Sequence, residues 1–270
     1  MRPVDLRFFS EGRPAVRQAM GGALSWNTLL DADFSGSAGP AMADGDTLVR
    51  SGVTWTLRAQ NASFQTWTPA TDGVDLAVTN GTSTTNGLLA DIADAAILGR
   101  DPDDYDALAV QALWTNVTQT ASGSALGVAM GREDTGVARA GMNRSLVAGH
   151  LRAASSLWLA RVSRADGTVQ AERSLATSVA DPSVAPVVTG GLFLPGLGAQ
   201  VFGAIDRATL YAQPIDLRGV SIFREPGSTE RPQIDRVGAF VVTFGAVSTT
   251  ATLSRLRIQH YRMPGAPEPS

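Results

Sequence analysis

The chain has 270 residues, a formal charge of −3 from 22 basic and 25 acidic side chains, and only 17% charged residues, below the roughly 25% usual in soluble domains. Every basic residue is arginine and cysteine is absent. Lysine Schiff bases, a P-loop lysine, Ser-Lys dyads, disulfides, thiolate metal sites and cysteine nucleophiles are therefore excluded. The arginines are scattered rather than gathered into a run, so no nucleic-acid partner and no attachment to an anionic membrane is expected.

The opening MRPVDLRFFSEGRPAVRQ interrupts any apolar stretch with charge and proline, and no later segment approaches the roughly 20 apolar residues of a membrane span. A soluble chain without an export signal or membrane insertion is expected. Residues 1–40 form a distinct N-terminal arm or docking extension, with a helix predicted from Pro14, suited to a first helical position, to Ala23 beside Gly21-Gly22. The alternative is that this extension packs as an edge strand. Four N-x-S/T triplets begin at Asn61, Asn80, Asn116 and Asn143, and turn-rich β proteins contain such triplets by composition alone.

From Asp44 to Arg262 the chain breaks into short runs with a period of two, bounded by Gly, Asn, Asp and Ser, the form of antiparallel strands with one buried face. Val53, Trp55 and Leu57 share a face, as do Leu108, Val110, Ala112 and Trp114. Leu126, Val128 and Met130 repeat the pattern, followed by Trp158, Ala160 and Val162 and then Phe240, Val242 and Phe244. Asp44-Gly45, Asp72-Gly73, Asn80-Gly81, Asn86-Gly87 and Asp166-Gly167 are turn dipeptides, the last joining Leu157–Ser163 to Val169–Ser174 as a hairpin. Leu88 to Leu98 is the exception, with spacing that fits a helical turn or two. Residues 263–270, ending in PGAPEPS, read as a disordered tail.

About a dozen strands without βαβ alternation predict an all-β chain, a two-sheet antiparallel β-sandwich over residues 41–262 with a short N-terminal extension. The run Gly52-Val53-Thr54-Trp55 and the final strand Ala251-Thr252-Leu253-Ser254-Arg255-Leu256-Arg257-Ile258 resemble the opening and closing strands of concanavalin A-like lectin/glucanase jelly-roll domains, particularly those carried by tailed-bacteriophage virion proteins. The resemblance spans roughly residues 41–262 and rests on strand rhythm. It implies a structural or adsorption component of a phage-like virion (tail fibre, baseplate or decoration protein), located in the virion, with other virion proteins and further copies of itself as partners and a cell-surface glycan as candidate ligand. A carbohydrate-binding module and a polysaccharide-cleaving enzyme are the alternatives.

No complete catalytic pattern is present, so the chain is expected not to be an enzyme. Glycosidases of this fold need carboxylates two and four residues apart to present an acid and a nucleophile on one face, but Glu133 and Asp134 are adjacent, and Glu225, Glu230 and Asp235 lie in or beside a loop. Lyases of similar architecture use a His and a Tyr near Arg and Gln. In Arg257, Gln259, His260 and Tyr261 the strand alternation places His260 with Leu256 and Ile258, as a core-edge histidine. Two histidines, His150 and His260, are too few for a histidine-rich metal site, and no G-x-S-x-G surrounds a serine. Asp101, Asp103, Asp104 and Asp106 could hold calcium, but they lack the EF-hand glycine and glutamate and read better as solvated carboxylates of an Asp-Pro turn. No metal or cofactor is expected.

Sugar binding uses aromatic faces beside polar side chains, so the informative aromatics are those out of phase with the core. Trp67, on a face with Gln65, and Tyr261, aligned with Arg255, Arg257 and Gln259, are the candidate ligand-binding residues.

Overall fold

The computed structural model describes residues 27–59, 64–79, 84–100, 106–119, 124–131, 145–152, 156–163, 169–176, 187–194, 198–205, 209–215, 235–243 and 248–262. The predicted helix from Pro14 to Ala23, the tail, Glu133 and Asp134, Asp101 to Asp104 and the Asn80-Gly81 and Asp166-Gly167 turns lie outside these residues.

Every strand pairing among the described residues is antiparallel. The strands are β1 (Asn27–Asp33), β2 (Thr47–Arg50), β3 (Val53–Ala59), β4 (Gln65–Pro69), β5 (Val74–Thr79), β6 (Thr84–Asp91), β7 (Asp106–Gln119) and β8 (Ser124–Gly131). They continue as β9 (Ser145–Arg152), β10 (Ser156–Ser163), β11 (Val169–Ala176), β12 (Val187–Leu194), β13 (Gly198–Ile205), β14 (Thr209–Ile215), β15 (Arg236–Thr243) and β16 (Ser248–Arg262). One sheet runs β14-β13-β12-β7-β16-β5-β4, and β1 continues the edge of β16 where β5 ends; the other runs β11-β10-β9-β8-β15-β6-β3-β2. The chain is a two-sheet antiparallel β-sandwich, and the hairpin expected across Asp166-Gly167 forms as β10 paired with β11.

The core follows from the alternation of apolar residues. Val53, Trp55 and Leu57 of β3, Leu108, Val110, Ala112 and Trp114 of β7, and Leu126, Val128 and Met130 of β8 all enter one cluster between the sheets. Strand β15 departs from expectation. Val237, Ala239 and Val241 face that cluster, whereas Phe240 and Val242 are buried on the opposite face with Leu89, Ala125 and Ala129. A strand buried on both faces carries an unbroken apolar run, from which phase alone cannot tell which set meets the main core.

Two further expectations are corrected, and of the two alternatives for the N-terminal extension one is met in its described part. Asn27–Asp33 pairs with β16, Ala32 and Phe34 are fully buried, and the Phe34 ring lies tilted against Trp55 with centroids 5.0 Å apart. The edge-strand alternative is the one realised there, because the alternation that buries Leu30 and Ala32 is a strand pattern. Leu88 to Leu98 is not helical, since β6 extends to Asp91 and turns closed by Asp91 and Asp94 follow. Asn86-Gly87 is no turn but lies within β6, with Asn86 buried. The tight turn of the β2–β3 hairpin is instead Ser51-Gly52, both with positive φ, of 52° and 78°.

Gly238 marks the closest approach of β15 to β6. A Cβ there would collide with the backbone carbonyl oxygen of Leu88, a contact that no rotamer change relieves. Gly238→Ala is expected to lower stability by about 1–3 kcal/mol through forced separation of the two strands, read as a reduced urea midpoint with unchanged m-value.

Candidate functional site

The long strands β7 and β16 position two polar clusters, one on each face. Two irregularities set the phase: the register shifts between Thr250 and Thr252 and again between Leu253 and Arg255. At the first, β7 accommodates the extra residue with Asn116 at φ 51°, a conformation Asn tolerates, and its Nδ2 donates to Thr252 Oγ1 at 3.2 Å. After the second, Leu256 and Ile258 point into the core, and Arg255, Arg257 and Gln259 fall on the outer face.

The structure brings these three predicted residues onto one face, where the arginines are already engaged. Asp31 of β1 accepts from Arg255 Nε at 2.5 Å and Nη2 at 2.7 Å, and from Arg257 Nη2 at 2.6 Å and Nε at 3.2 Å. Gln259 is buried and its Oε1 accepts from Gln111 Nε2 at 3.4 Å. Tyr261 is half-buried at the register position opposite Ala107. Trp67 is not at the surface: it is 0% exposed, its ring edge-on to Trp114 at 6.3 Å, and Gln65 beside it is buried too. Their shared face was legible, but its direction was not, because β4 carries its apolar and polar residues together on the inward side.

Burial alone would push the Asp31 carboxyl up; the hydrogen bonds and charges of Arg255 and Arg257 outweigh it and hold the group below its ordinary value.

On the inner face at the end of β7, the Asp106 side chain is fully buried and binds Arg100 through Nη1 at 2.7 Å and Nη2 at 3.0 Å, His260 Nε2 at 2.9 Å and Arg262 Nη1 at 3.6 Å. Asp106 is thus an internal anchor rather than a solvated turn carboxylate. His260 stands at the core edge in phase with Leu256 and Ile258, as its position in the strand predicts.

A third constellation escaped the sequence reading. On the outer face of the second sheet, Thr54, Thr56 and Arg58 of β3, Leu89 and Asp91 of β6, Asp94 of the following turn and Arg236 of β15 line a cleft of about 190 Å³. Strand register creates it, with Thr56 opposite Leu89 and Asp91 opposite Arg236. Asp91, 53% exposed, is bound to Arg236 at 2.7 Å, and Leu89 is a buried apolar floor. The inward phase of Val53, Trp55 and Leu57 already implied that Thr54, Thr56 and Arg58 face outward. Nothing local in the sequence places Arg236 beside Asp91. Among the described residues no group of three or more His, Cys, Asp or Glu has the arrangement of a metal site.

No protein-family model and no curated protein matches this chain. Among solved structures it is similar to a lectin from Bauhinia forficata in complex with GalNAc, with 10% identity over 88% of this chain and 99% of that one and a TM-score of 0.49. It is also similar to a legume lectin-like domain from Entamoeba histolytica, with 10% identity, 76% and 88% coverage and a TM-score of 0.46. A carbohydrate esterase from Shiga toxin-encoding bacteriophage phi24B is a further neighbour, with 12% identity, 87% and 99% coverage and a TM-score of 0.40. The strand pairing itself shows the two-sheet sandwich.

A carboxyl held low in the folded state contributes stability that is present above its unfolded value of about 3.9 and is lost as pH falls through the lower folded value. Asp31→Asn is therefore expected to cost about 1–3 kcal/mol at pH 7. The gap to the parent should close progressively below about pH 4, measured by urea denaturation across a pH series.

Proposed function

We propose that this chain is a lectin-like, non-enzymatic adsorption component of a phage-like particle, holding a glycan in the cleft formed by β3, β6 and β15. The observation that carries the reading is the lining of that cleft. Hydroxyls, guanidiniums and carboxylates converge above an apolar floor, the mixture with which proteins hold polyhydroxylated rings. The row on β16 serves less well, because its arginines are spent on Asp31 and its glutamine on Gln111. Binding is favoured over catalysis because the Asp91 carboxylate accepts from Ala93 N and pairs with Arg236, which fixes its geometry, and because His260 belongs to the other sheet and is bound to Asp106. The particle setting rests on the resemblance of the opening and closing strands, and further copies of the chain are its nearest partners.

A glycan array probed with the whole chain tests the assignment. The double variant Thr56→Val/Arg58→Ala is expected to lose about 1–3 kcal/mol of affinity for the glycans bound by the parent, with its melting temperature retained. Full binding by a folded double variant would remove the cleft from consideration. Release of cleaved sugar or acyl groups from the bound glycan would make the chain an enzyme. Light scattering of the whole chain is expected to give an oligomeric mass, and a monomer would favour a free-standing carbohydrate-binding module.

A further inference from the structure

Charge does not single out a ligand class in the cleft, which Arg58 and Arg236 line together with Asp91 and Asp94. Its flank on β2 is more selective. Thr47 and Val49 are exposed on that strand and Leu48 between them is buried, so the two point to the outer face of the sheet, which carries the cleft. Register places Val49 directly opposite Thr54 and Thr47 directly opposite Thr56. Side chains paired in this way have Cβ atoms about 4.5–5.5 Å apart, and Thr54 and Thr56 both line the cleft. Val49 therefore forms the shoulder of the cleft on its β2 side. At 61% exposure it is the one large apolar side chain that is exposed among the described residues.

A single exposed apolar residue needs no explanation on an ordinary surface. On the last strand of a sheet, beside a cleft, it has two uses: strand addition and ligand contact. Arg50 closes the first. Its Nη1 donates to Val49 O at 3.1 Å, its Nε to Phe34 O at 3.1 Å and its Nη2 to Ser37 O at 2.8 Å. These bonds tie residues 34–37 to the end of β2 and take the carbonyl that an added strand would pair with. Ligand contact remains, and the parts of the cleft then sort by chemistry. Leu89 is a buried apolar floor for a ring, and the hydroxyls of Thr54 and Thr56, which have no protein partner among the described residues, serve the hydroxyls of that ring. Beyond Thr54, Val49 offers an apolar surface to a substituent. Resting on the glycan-binding reading above, we infer that the cleft selects saccharides carrying a methyl group on the side that faces β2, as acetamido, O-acetyl and 6-deoxy sugars do, with Val49 as the residue that recognises it.

Calorimetry with the whole chain tests this on pairs of free sugars that differ by the methyl-bearing group. The pairs are N-acetylglucosamine and glucose, N-acetylgalactosamine and galactose, 6-O-acetylglucose and glucose, and L-fucose and L-galactose, so that the pair that responds also names the substituent. In that pair the methyl-bearing sugar is expected to bind about threefold to tenfold more tightly, the worth of burying one methyl group. Val49→Ser removes both methyls from an exposed position and should bring the ratio to one while leaving the parent sugar bound as before. Val49→Ile should keep the ratio. Equal binding within every pair, or a ratio unchanged in a folded Val49→Ser variant, would overturn the selection while leaving glycan binding intact. Failure of every free sugar to bind would overturn it too, since the site described takes one ring with its substituent. Together with a blank glycan array, that failure would overturn the glycan-binding reading as well.

Discussion

The pairing of Asp106–Gln119 with Ser248–Arg262 is the constraint on which the rest of this sandwich depends. These are the longest strands among the described residues, and they join the middle of the chain to its last strand. The two register shifts along this ladder decide which residues of β16 meet the core. Without the second, Leu256 and Ile258 would not lie in phase with Leu253, and the polar row would point inward. A side-chain period of two makes every such shift an inversion of faces, so local irregularity at Asn116 and Ser254 has consequences along the whole strand. Thr115 and Ser254, linked through their hydroxyls at 2.6 Å, occupy this point of change.

The charged residues then divide according to what surrounds them. Asp31 and Asp106 each gather at least two arginines against the β7–β16 ladder, one on the outer face and one on the inner. A chain that uses arginine for every cation can do this because the planar guanidinium keeps its charge and presents several donors to one carboxylate. Such clusters spend their hydrogen-bonding capacity inside the protein. They hold β1 and the β7 entry in place.

The cleft on the opposite sheet gathers similar residue types with less internal pairing among the described residues. Asp91 and Arg236 are paired, yet among the described residues the neighbouring threonines and one oxygen of Asp94 have no protein partner. Close packing below, at Gly238 and the second apolar cluster, gives the polar groups a rigid floor. Side chains set on strands are positioned more tightly than those carried by loops alone, and of the residues lining this cleft only Asp94 comes from a turn.

The sequence by itself determined the class of fold, because alternation and turn residues are local properties: β3, β7 and β8 bury the residues their spacing predicts, and the β10–β11 hairpin forms where Asp166-Gly167 separates two strand patterns. The shared faces of Arg255, Arg257 and Gln259, and the core-edge placement of His260, were legible for the same reason. What local pattern cannot encode is the direction of a face and the identity of its neighbours. Trp67 and Gln65 share a side, but only the packing of Trp67 against Trp114 shows that the side is inward. Arg255 and Arg257 looked available until β1 brought Asp31 to them from the far end of the chain. The cleft arises only when register sets Asp91 beside Arg236 and Thr56 beside Leu89. Period fixes which residues stand together on a strand; long-range pairing decides what they face, because the partner strand comes from sequence that no local window contains.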